Sequence, residues 1–165
     1  MHTFFLSLMA AAAIISHGEL LANGNFENEE NHSYGWRVRN GKYEISNVSP
    51  FHETTPVYLK LHSNGSATIA NHGEDGISAK AGEVFLFSCY CKSQTRGKMI
   101  ILFIGDNGTV IGGKTIRMKS NGEWNEITGK FQAKEACRKG SLEIVFPEGD
   151  YLIDEVSLIS QNTLK

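Results

Sequence analysis

The chain has 165 residues, 41% of them hydrophobic and 21% charged, and its formal net charge at pH 7 is −2. This composition is typical of one globular domain that is large enough to bury a hydrophobic core without crosslinks. The slightly acidic balance argues against a nucleic-acid-binding protein, because such proteins need a basic surface to neutralise phosphates.

The N-terminal residues differ from the rest of the chain. Residues 4–15 form an uninterrupted stretch of apolar or small side chains. This stretch is too short to span a bilayer but matches the apolar region of a secretory signal peptide. The small residues Ser16 and Gly18 predict cleavage after Gly18. The sequence therefore predicts a signal peptide over residues 1–18 and a secreted or periplasmic protein; the alternative is a buried apolar N-terminal helix.

Beyond residue 18 the apolar residues follow the period of β-strands. Residues 57–62 alternate as a half-buried strand requires. Asn, Asp and Gly residues mark turns between the apolar runs. This regular spacing predicts an all-β sandwich or barrel in one domain, residues 19–160, followed by a frayed tail at residues 161–165. Further strands are predicted over residues 84–91, 99–104, 142–146 and 151–159, and turns at 64–65, 106–108, 121–122 and 148–150.

The run from Met99 to Ile104 is apolar on both faces of its predicted strand. In a two-sheet sandwich one face of a strand contacts the core and the other contacts water. Either a long loop over residues 40–56 covers the outer face, or this face is a hydrophobic platform for a protein partner or a second copy of the chain.

The chain contains three cysteines, Cys89, Cys91 and Cys137. The first two lie two residues apart on a predicted strand, so they share a face and cannot easily bridge each other. Either of them could pair with Cys137 in an oxidising compartment. The alternative is three buried thiols that behave as small hydrophobic residues.

Several short motifs resemble a known group of β-sandwiches. Leu-Ala-Asn-Gly-Asn-Phe-Glu at 21–27, Gly-Trp at 35–36 and Tyr-Leu-Ile-Asp-Glu-Val-Ser-Leu at 151–158 resemble the galactose-binding-like jelly rolls grouped as carbohydrate-binding modules of the family-four and family-nine type. Residues 57–88 and Gly-Glu-Trp at 122–124 are similar to the non-catalytic β-sandwich near the N terminus of family-51 α-L-arabinofuranosidases. The resemblance implies a jelly-roll β-sandwich of two antiparallel sheets, galactose-binding-domain-like, that binds carbohydrate.

The sequence predicts a binding protein and not an enzyme. It contains no HExxH, GxSxG, P-loop or dinucleotide-binding motif. A glycosidase needs two carboxylates held across the scissile bond, whereas Glu143, Glu148 and Asp150 flank predicted turns as solvated charges do. The arabinofuranosidases carry catalysis on a barrel domain, for which this chain has no room.

The resemblance also implies a structural calcium ion where the N- and C-terminal strands meet. By motif, its ligands are Glu27 of the Phe-Glu pair and Asp154 of the last strand, with a carbonyl near Asn25 as a third ligand. Such oxygen atoms suit Ca²⁺, a hard cation that takes about six to eight of them. In the alternative interpretation, Glu27 and Asp154 cap turns or pair with Lys42 or Arg37.

Sugar binding in such sandwiches rests on aromatic rings that stack on pyranose faces and on polar side chains that bind hydroxyl groups. Tyr90 and Lys92 alternate with core positions on one strand, as Tyr58 and His62 do on another, and Phe51 lies in an irregular stretch that could rim a cleft. These five are the predicted ligand-binding residues. The alternative for each tyrosine is ordinary cross-strand packing.

The two tryptophans, Trp36 and Trp124, fall within the frame motifs, which in the similar modules are chiefly core anchors. Both are therefore predicted to lie in the core.

Two functions stay open at this point. The first is a secreted or periplasmic module that binds a polysaccharide or oligosaccharide and carries structural Ca²⁺. The second is a structural or protein-interaction β-sandwich that has lost sugar recognition and contacts a partner through residues 99–104. The first predicts a polar, aromatic concavity and the second a flat apolar patch. Neither involves nucleic acid or a membrane span.

Overall fold

The computed structural model describes residues 19–48 and 56–161, and in these ranges the protein consists of β-strands joined by turns. The all-β class is thereby confirmed. No helix in the described ranges is long and apolar enough to cross a membrane. The predicted signal peptide and Phe51 lie outside the described residues. The strands are β1 (Trp36–Ser46), β2 (Tyr58–Asn71), β3 (Ile77–Ala79), β4 (Val84–Lys92), β5 (Lys98–Ile104), β6 (Val110–Arg117), β7 (Trp124–Gln132) and β8 (Cys137–Gln161).

The long strand β8 organises the sheet, because β2, β3, β4 and β5 all pair with it in antiparallel orientation. One edge of β8 pairs with β2, while the other edge pairs first with β5 and then with β4. β1, β6 and β7 extend the sheet beyond β2, β5 and β4. We call the order β1-β2-β8-β4-β7 the β4–β7 half-sheet and the order β1-β2-β8-β5-β6 the β5–β6 half-sheet.

The two half-sheets fold over each other. Phe85 of β4 pairs with Ser160, and Phe103 of β5 pairs with Leu142, eighteen residues away along β8. On a flat sheet these positions would lie about 60 Å apart, yet the two phenylalanine rings are 4.9 Å apart. The strands shared by both halves therefore bend sharply, and the inner faces enclose one core, as the predicted sandwich requires.

The bend coincides with register shifts in the shared strands, between Arg39 and Gly41 in β1 and between Ser63 and Ser66 in β2. At the same level β8 contains Gly149, whose φ is +145° and whose added Cβ would lie 2.1 Å from Thr95 Oγ1. Only glycine fits this conformation and this space. The predicted turn at residues 148–150 is therefore a kink inside a continuous strand.

One face of β5 is buried and the other is partly open. Met99, Ile101 and Phe103 are fully buried, whereas 38% of Ile100 is exposed. The described part of residues 40–56 belongs mainly to β1, at the edge of the sheet. It does not cover Ile100, so the prediction of a covering loop is not met within the described residues.

The three cysteines are buried free thiols and form no disulfide with one another. Cys89 and Cys91 both face the core, as their spacing predicts. Burial raises the pKa of the Cys91 thiol to about 12 and that of the Cys89 thiol well above its usual value, which lowers the fraction of the reactive thiolate form. At the other end of the chain, Gln161 pairs with Val84 and so belongs to β8, whereas residues 162–165 lie outside the described residues.

Candidate functional site

The outer face of the β4–β7 half-sheet carries most of the predicted ligand-binding residues. Directly paired residues on antiparallel strands point to the same face of a sheet. The register therefore places one row of side chains across five strands: Glu44, Lys60, Leu152, Lys92 and Trp124. Lys42, His62 and Asp150 form the adjacent row.

Apart from Trp124, which pairs with Lys92, the residues of these two rows line a cleft of about 450 Å³. Ser93, Gln94 and Gly122, from the segments that follow β4 and precede β7, close one side of it. Its volume is within the usual range for small-molecule sites, and its lining combines aliphatic surface with several polar groups. We call it the basic cleft, after its three lysines. They are Lys42, Lys60 and Lys92.

Two ion pairs lie inside the basic cleft. His62 Nδ1 is 2.6 Å from Asp150 Oδ1, and the hydrogen bonds from Asp150 and then Asn64 raise the pKa of His62. Lys60 Nζ bonds the Glu44 carboxylate, and this contact raises the pKa of the Lys60 ammonium. Both pairs are largely exposed, so they add little to stability and serve chiefly to fix the positions of four polar side chains.

Two aromatic rings meet next to Lys60 and Lys92, two of the residues that line the cleft. Tyr58 and Trp124 meet edge to face, with ring centroids 5.8 Å apart. Their strands are separated by β8 and β4, so their backbones are about 14 Å apart at the usual strand spacing. Both rings must therefore lean inwards over the intervening strands. We call this pair the aromatic ridge.

A second cleft lies beyond the aromatic ridge and is acidic. Glu19, Glu126 and Glu155 line it, without any lysine or arginine. Tyr90 also lines it, and desolvation together with the charges of Glu126 and Glu155 raises the pKa of its phenol. We call it the acidic cleft. The predicted stacking residue Tyr90 therefore lies in a different cleft from Lys92 and His62.

Asp154 is paired with Tyr90 in the register and is completely buried. Its Oδ1 accepts a hydrogen bond from the Glu155 backbone N–H at 2.7 Å, but Oδ2 has no hydrogen-bond partner among the described residues. Burial, and to a smaller degree the charges of Glu155 and Glu27, raise the pKa of Asp154 to about 7. A buried oxygen without a partner is costly, and the gathering of negative groups around it suits a cation.

The loop that contains Glu27 is fixed next to Asp154. Glu27 Oε1 accepts a hydrogen bond from the Val57 backbone N–H at 2.8 Å, and the Val156 N–H donates to the Gly24 carbonyl at 2.8 Å. An added Cβ at Gly24 would lie 1.9 Å from the Val156 carbonyl oxygen. The first loop and the last strand are thus in direct contact at Asp154.

The donor atoms at this junction are of the types that calcium binds. Carboxylate and carbonyl oxygens are the ligands that Ca²⁺ prefers. In the described residues no three His, Cys, Asp or Glu side chains are arranged around one metal position, so backbone carbonyls or Asn25 would have to complete the set. The alternative that Glu27 and Asp154 pair with Lys42 or Arg37 is not met, since no such ion pair occurs among the described residues.

The structure separates the predicted ligand-binding residues. Lys92 and His62 lie together in the basic cleft, and Tyr90 lines the acidic cleft. Tyr58 is only 2% exposed, and its hydroxyl donates to the Val48 carbonyl. The expectation that Tyr58 offers a stacking face is therefore wrong, because its ring packs within the ridge.

The two tryptophans have different positions. Trp36 is in the core, as predicted, and its indole N–H donates to the Asn23 carbonyl at 2.9 Å. Trp124 is half-buried on the outer face next to Lys92, so its assignment to the core was wrong. A signal was present in the sequence: Trp124 is three residues from Ile127, and an odd separation on a strand places two side chains on opposite faces.

Sequence reasoning also missed Lys42, Lys60, Glu44 and Asp150 as lining residues of the cleft. No local signal marks these charged residues, because they come together only through the register of β1, β2 and β8.

No protein-family model and no curated protein matches the sequence. Among solved structures, the chain is similar to the arabinose-bound MgGH51 α-L-arabinofuranosidase, with a TM-score of 0.78 and 17% identity over 87% of this chain; it spans 26% of that enzyme's chain. The CBM22-1 xylan-binding domain of Paenibacillus barcinonensis Xyn10C matches with a TM-score of 0.58 and 15% identity, over 87% of this chain and 94% of that one. TmCBM61, solved with β-1,4-galactotriose, matches with 0.56 and 18%, over 87% and 99%. These likenesses confirm the predicted jelly-roll β-sandwich fold.

Proposed function

We propose that this protein is a secreted, non-catalytic module that binds a polysaccharide or oligosaccharide in the basic cleft. The observation that carries the proposal is the cleft itself, which is concave and lined with polar side chains on the outer face of one half-sheet. Trp124 pairs with its lining residue Lys92. A flat apolar face would lack the groups that bind sugar hydroxyls, since each unpaired hydroxyl would lose its hydrogen bonds to water.

The chemistry of the lining suits a sugar. His62, Asp150, Glu44 and the lysines offer donors and acceptors for hydroxyl groups, and the aliphatic surface of Leu152 lies in the floor. Trp124, which pairs with Lys92, supplies an indole whose large contact area comes at a low cost in side-chain entropy. Two solved structures with this fold, a xylan-binding domain and a module in complex with β-1,4-galactotriose, support the same class of ligand.

The absence of catalysis is part of the proposal. Glycoside hydrolysis requires one carboxylic acid that donates a proton and one carboxylate that attacks or activates water. The two carboxylates of the cleft are instead each held by a basic side chain, Glu44 by Lys60 and Asp150 by His62. Both carboxylates are thus already engaged by a basic side chain of the protein itself.

We also propose that Glu27, Asp154 and a carbonyl near Asn25 bind a structural Ca²⁺ ion. The partnerless Oδ2 of Asp154, and the proximity of Glu27 that raises the pKa of Asp154, support this assignment. The ion would join the first loop to the last strand and neutralise a buried carboxylate beneath the aromatic ridge.

Binding to immobilised polysaccharides tests the main proposal. We expect the protein to be retained by at least one polymer and released by its oligosaccharides, and Trp124→Ala to weaken retention on the order of tenfold, through loss of the stacking contact. Affinity electrophoresis measures the change, and Tyr34→Ala, an exposed aromatic residue outside both clefts, is the matched control.

The variant Tyr90→Ala distinguishes the two clefts. The prediction that Tyr90 binds sugar stays a prediction, and it places the ligand in the acidic cleft. Retention that depends on Tyr90 and not on Trp124 would contradict binding in the basic cleft.

A protein-interaction function has one observation in its favour. Ile100 and Val110 on the β5–β6 half-sheet are 38% and 55% exposed. If this face served a second copy of the chain, the protein would sediment as a dimer and Ile100→Lys would dissociate it. We expect instead a monomer whose retention by polysaccharide is unchanged in Ile100→Lys, as measured by analytical ultracentrifugation and affinity electrophoresis.

A further inference from the structure

The basic cleft has the opposite charge from the protein as a whole. Three lysines line it against two carboxylates, so its formal charge is positive even when His62 is neutral. The whole chain has a formal net charge of −2. Charges gathered in a cleft act strongly on a ligand there, because the low-dielectric walls focus the field. The lysines are Lys42, Lys60 and Lys92, and the carboxylates are Glu44 and Asp150.

The two carboxylates do not neutralise all three lysines. Glu44 is bound to Lys60, and Asp150 is bound to His62. Lys42 and Lys92 form no ion pair with any residue of the described ranges. Each therefore presents an ammonium group that a ligand can engage.

These two lysines lie at opposite sides of the cleft. Lys42 is on β1 and Lys92 on β4, with β2 and β8 between them, a separation of about 14 Å at the usual strand spacing. The intervening strands carry Lys60 and His62 on β2 and Asp150 on β8, and Lys60 and His62 are paired with Glu44 and Asp150. A single phosphate or sulfate requires donors that converge on one point. Two separated ammonium groups suit a ligand that carries negative groups at intervals along its length.

We propose that the ligand of the basic cleft is an acidic oligosaccharide, whose carboxylate or sulfate groups bind Lys42 and Lys92. This inference rests on the proposed function and names the class of sugar that the same site binds. The polar ion pairs between the two lysines would contact the hydroxyl groups of the intervening sugar units.

The charge of the neighbouring surface confines such a ligand to this cleft. Beyond the aromatic ridge, the acidic cleft has three glutamates and no basic residue in its lining. An anionic chain is repelled there, because its negative groups carry the same charge as the glutamates. The repulsion between them grows as these groups lose water. One face of the sheet thus has two clefts of opposite sign, separated by Tyr58 and Trp124.

Calorimetric titration with matched ligands tests the proposal. The first pair consists of hyaluronan oligosaccharides and their methyl esters, in which each charged carboxylate is replaced by a neutral ester. The second pair consists of sulfated galactan oligosaccharides and their desulfated forms. We expect the charged member of at least one pair to bind on the order of tenfold tighter than its neutral counterpart, and sodium chloride to weaken its binding. The pair that shows the difference identifies the acidic group.

Substitution of the lysines locates the effect. Lys42→Gln and Lys92→Gln should each weaken binding of the charged ligand on the order of tenfold and leave the neutral ligand unaffected. Lys114→Gln, an exposed lysine on β6 outside this cleft, is the matched control and should change neither. Melting temperatures of all three variants verify that they are folded.

The outcomes separate this inference from the function on which it rests. Equal affinity for the charged and neutral members of both pairs would overturn the inference that the ligand is acidic. So would unchanged affinity in the two lysine variants. Neither result would contradict carbohydrate binding itself. If neither these ligands nor any neutral polysaccharide binds to folded protein, the proposed function fails and the acidic ligand fails with it.

Discussion

Replacing Phe85 with alanine should lower the free energy of unfolding by about 3–5 kcal/mol. Phe85 is completely buried, and its ring lies 4.9 Å from Phe103 and 5.6 Å from Phe131. Phe131 belongs to the same half-sheet and Phe103 to the other, so the deletion leaves a cavity where the two halves meet. A domain of this size is stable by about 5–15 kcal/mol, and the substitution removes a large fraction of that.

Urea denaturation followed by tryptophan fluorescence measures the effect. The matched control is Leu86→Ala on the adjacent position of β4, which is half-buried on the outer face; we expect a loss of about 1 kcal/mol or less there. If Phe85→Ala does not fold, Phe85→Leu should still unfold at lower urea, with a loss of about 1–2 kcal/mol. Equal losses at positions 85 and 86 would contradict the face assignment of β4.

The strand β4 shows what the sequence predicts well. Its burial alternates at every residue from Val84 to Lys92, so the period of two was enough to direct Phe85, Phe87 and Cys89 into the core and Tyr90 and Lys92 outwards. A strand that is central in a half-sheet and covered on one face imposes this pattern on its sequence.

The strand β1 shows the limit of the same reasoning. β1 is an edge strand rich in charged and polar residues, and most of its side chains are at least partly exposed. Without a buried face there is no alternation to detect. The prediction of a turn at Gly149 is wrong for a different reason. A turn and a kink within a strand both need glycine, and only the pairing of β8 with β2 distinguishes them.

The candidate site depends on long-range register, which the sequence does not contain. Lys42, Lys60 and Lys92 come from three strands, with β8 inserted between the last two. Nothing in the local sequence of any one lysine indicates the other two. By contrast, the junction of Glu27 and Asp154 is implied by the resemblance, because both residues belong to the motifs that the resemblance covers.

Chelation of calcium should lower the melting temperature of the protein by roughly 5–10 °C. A ligand present at about 100 times its dissociation constant stabilises the folded state by about 2.7 kcal/mol, and a domain of this size loses a few degrees for each kcal/mol. The physical reason is the Oδ2 atom of Asp154, which is buried without a hydrogen-bond partner among the described residues and would gain a cation as its partner.

The variant Asp154→Asn should respond in opposite ways with and without calcium. In the presence of calcium it should melt below the wild-type protein, because it lacks the charged ligand. After chelation it should melt at the same temperature as the wild-type protein or higher, because the neutral amide has a smaller desolvation cost than a buried carboxylate near Glu27 and Glu155. Differential scanning calorimetry with EDTA and with added CaCl₂ measures both arms.

Two further variants make the calcium result specific. Glu27→Gln retains an amide oxygen that can accept the hydrogen bond from the Val57 N–H, so it should fold normally and yet lose most of the calcium response. Asp75→Asn removes an exposed carboxylate from the turn before β3 and should keep the full response. If the wild-type melting temperature is the same in EDTA and in CaCl₂, calcium is not bound here, and the buried Asp154 must then be held as a neutral acid, which its raised pKa of about 7 permits.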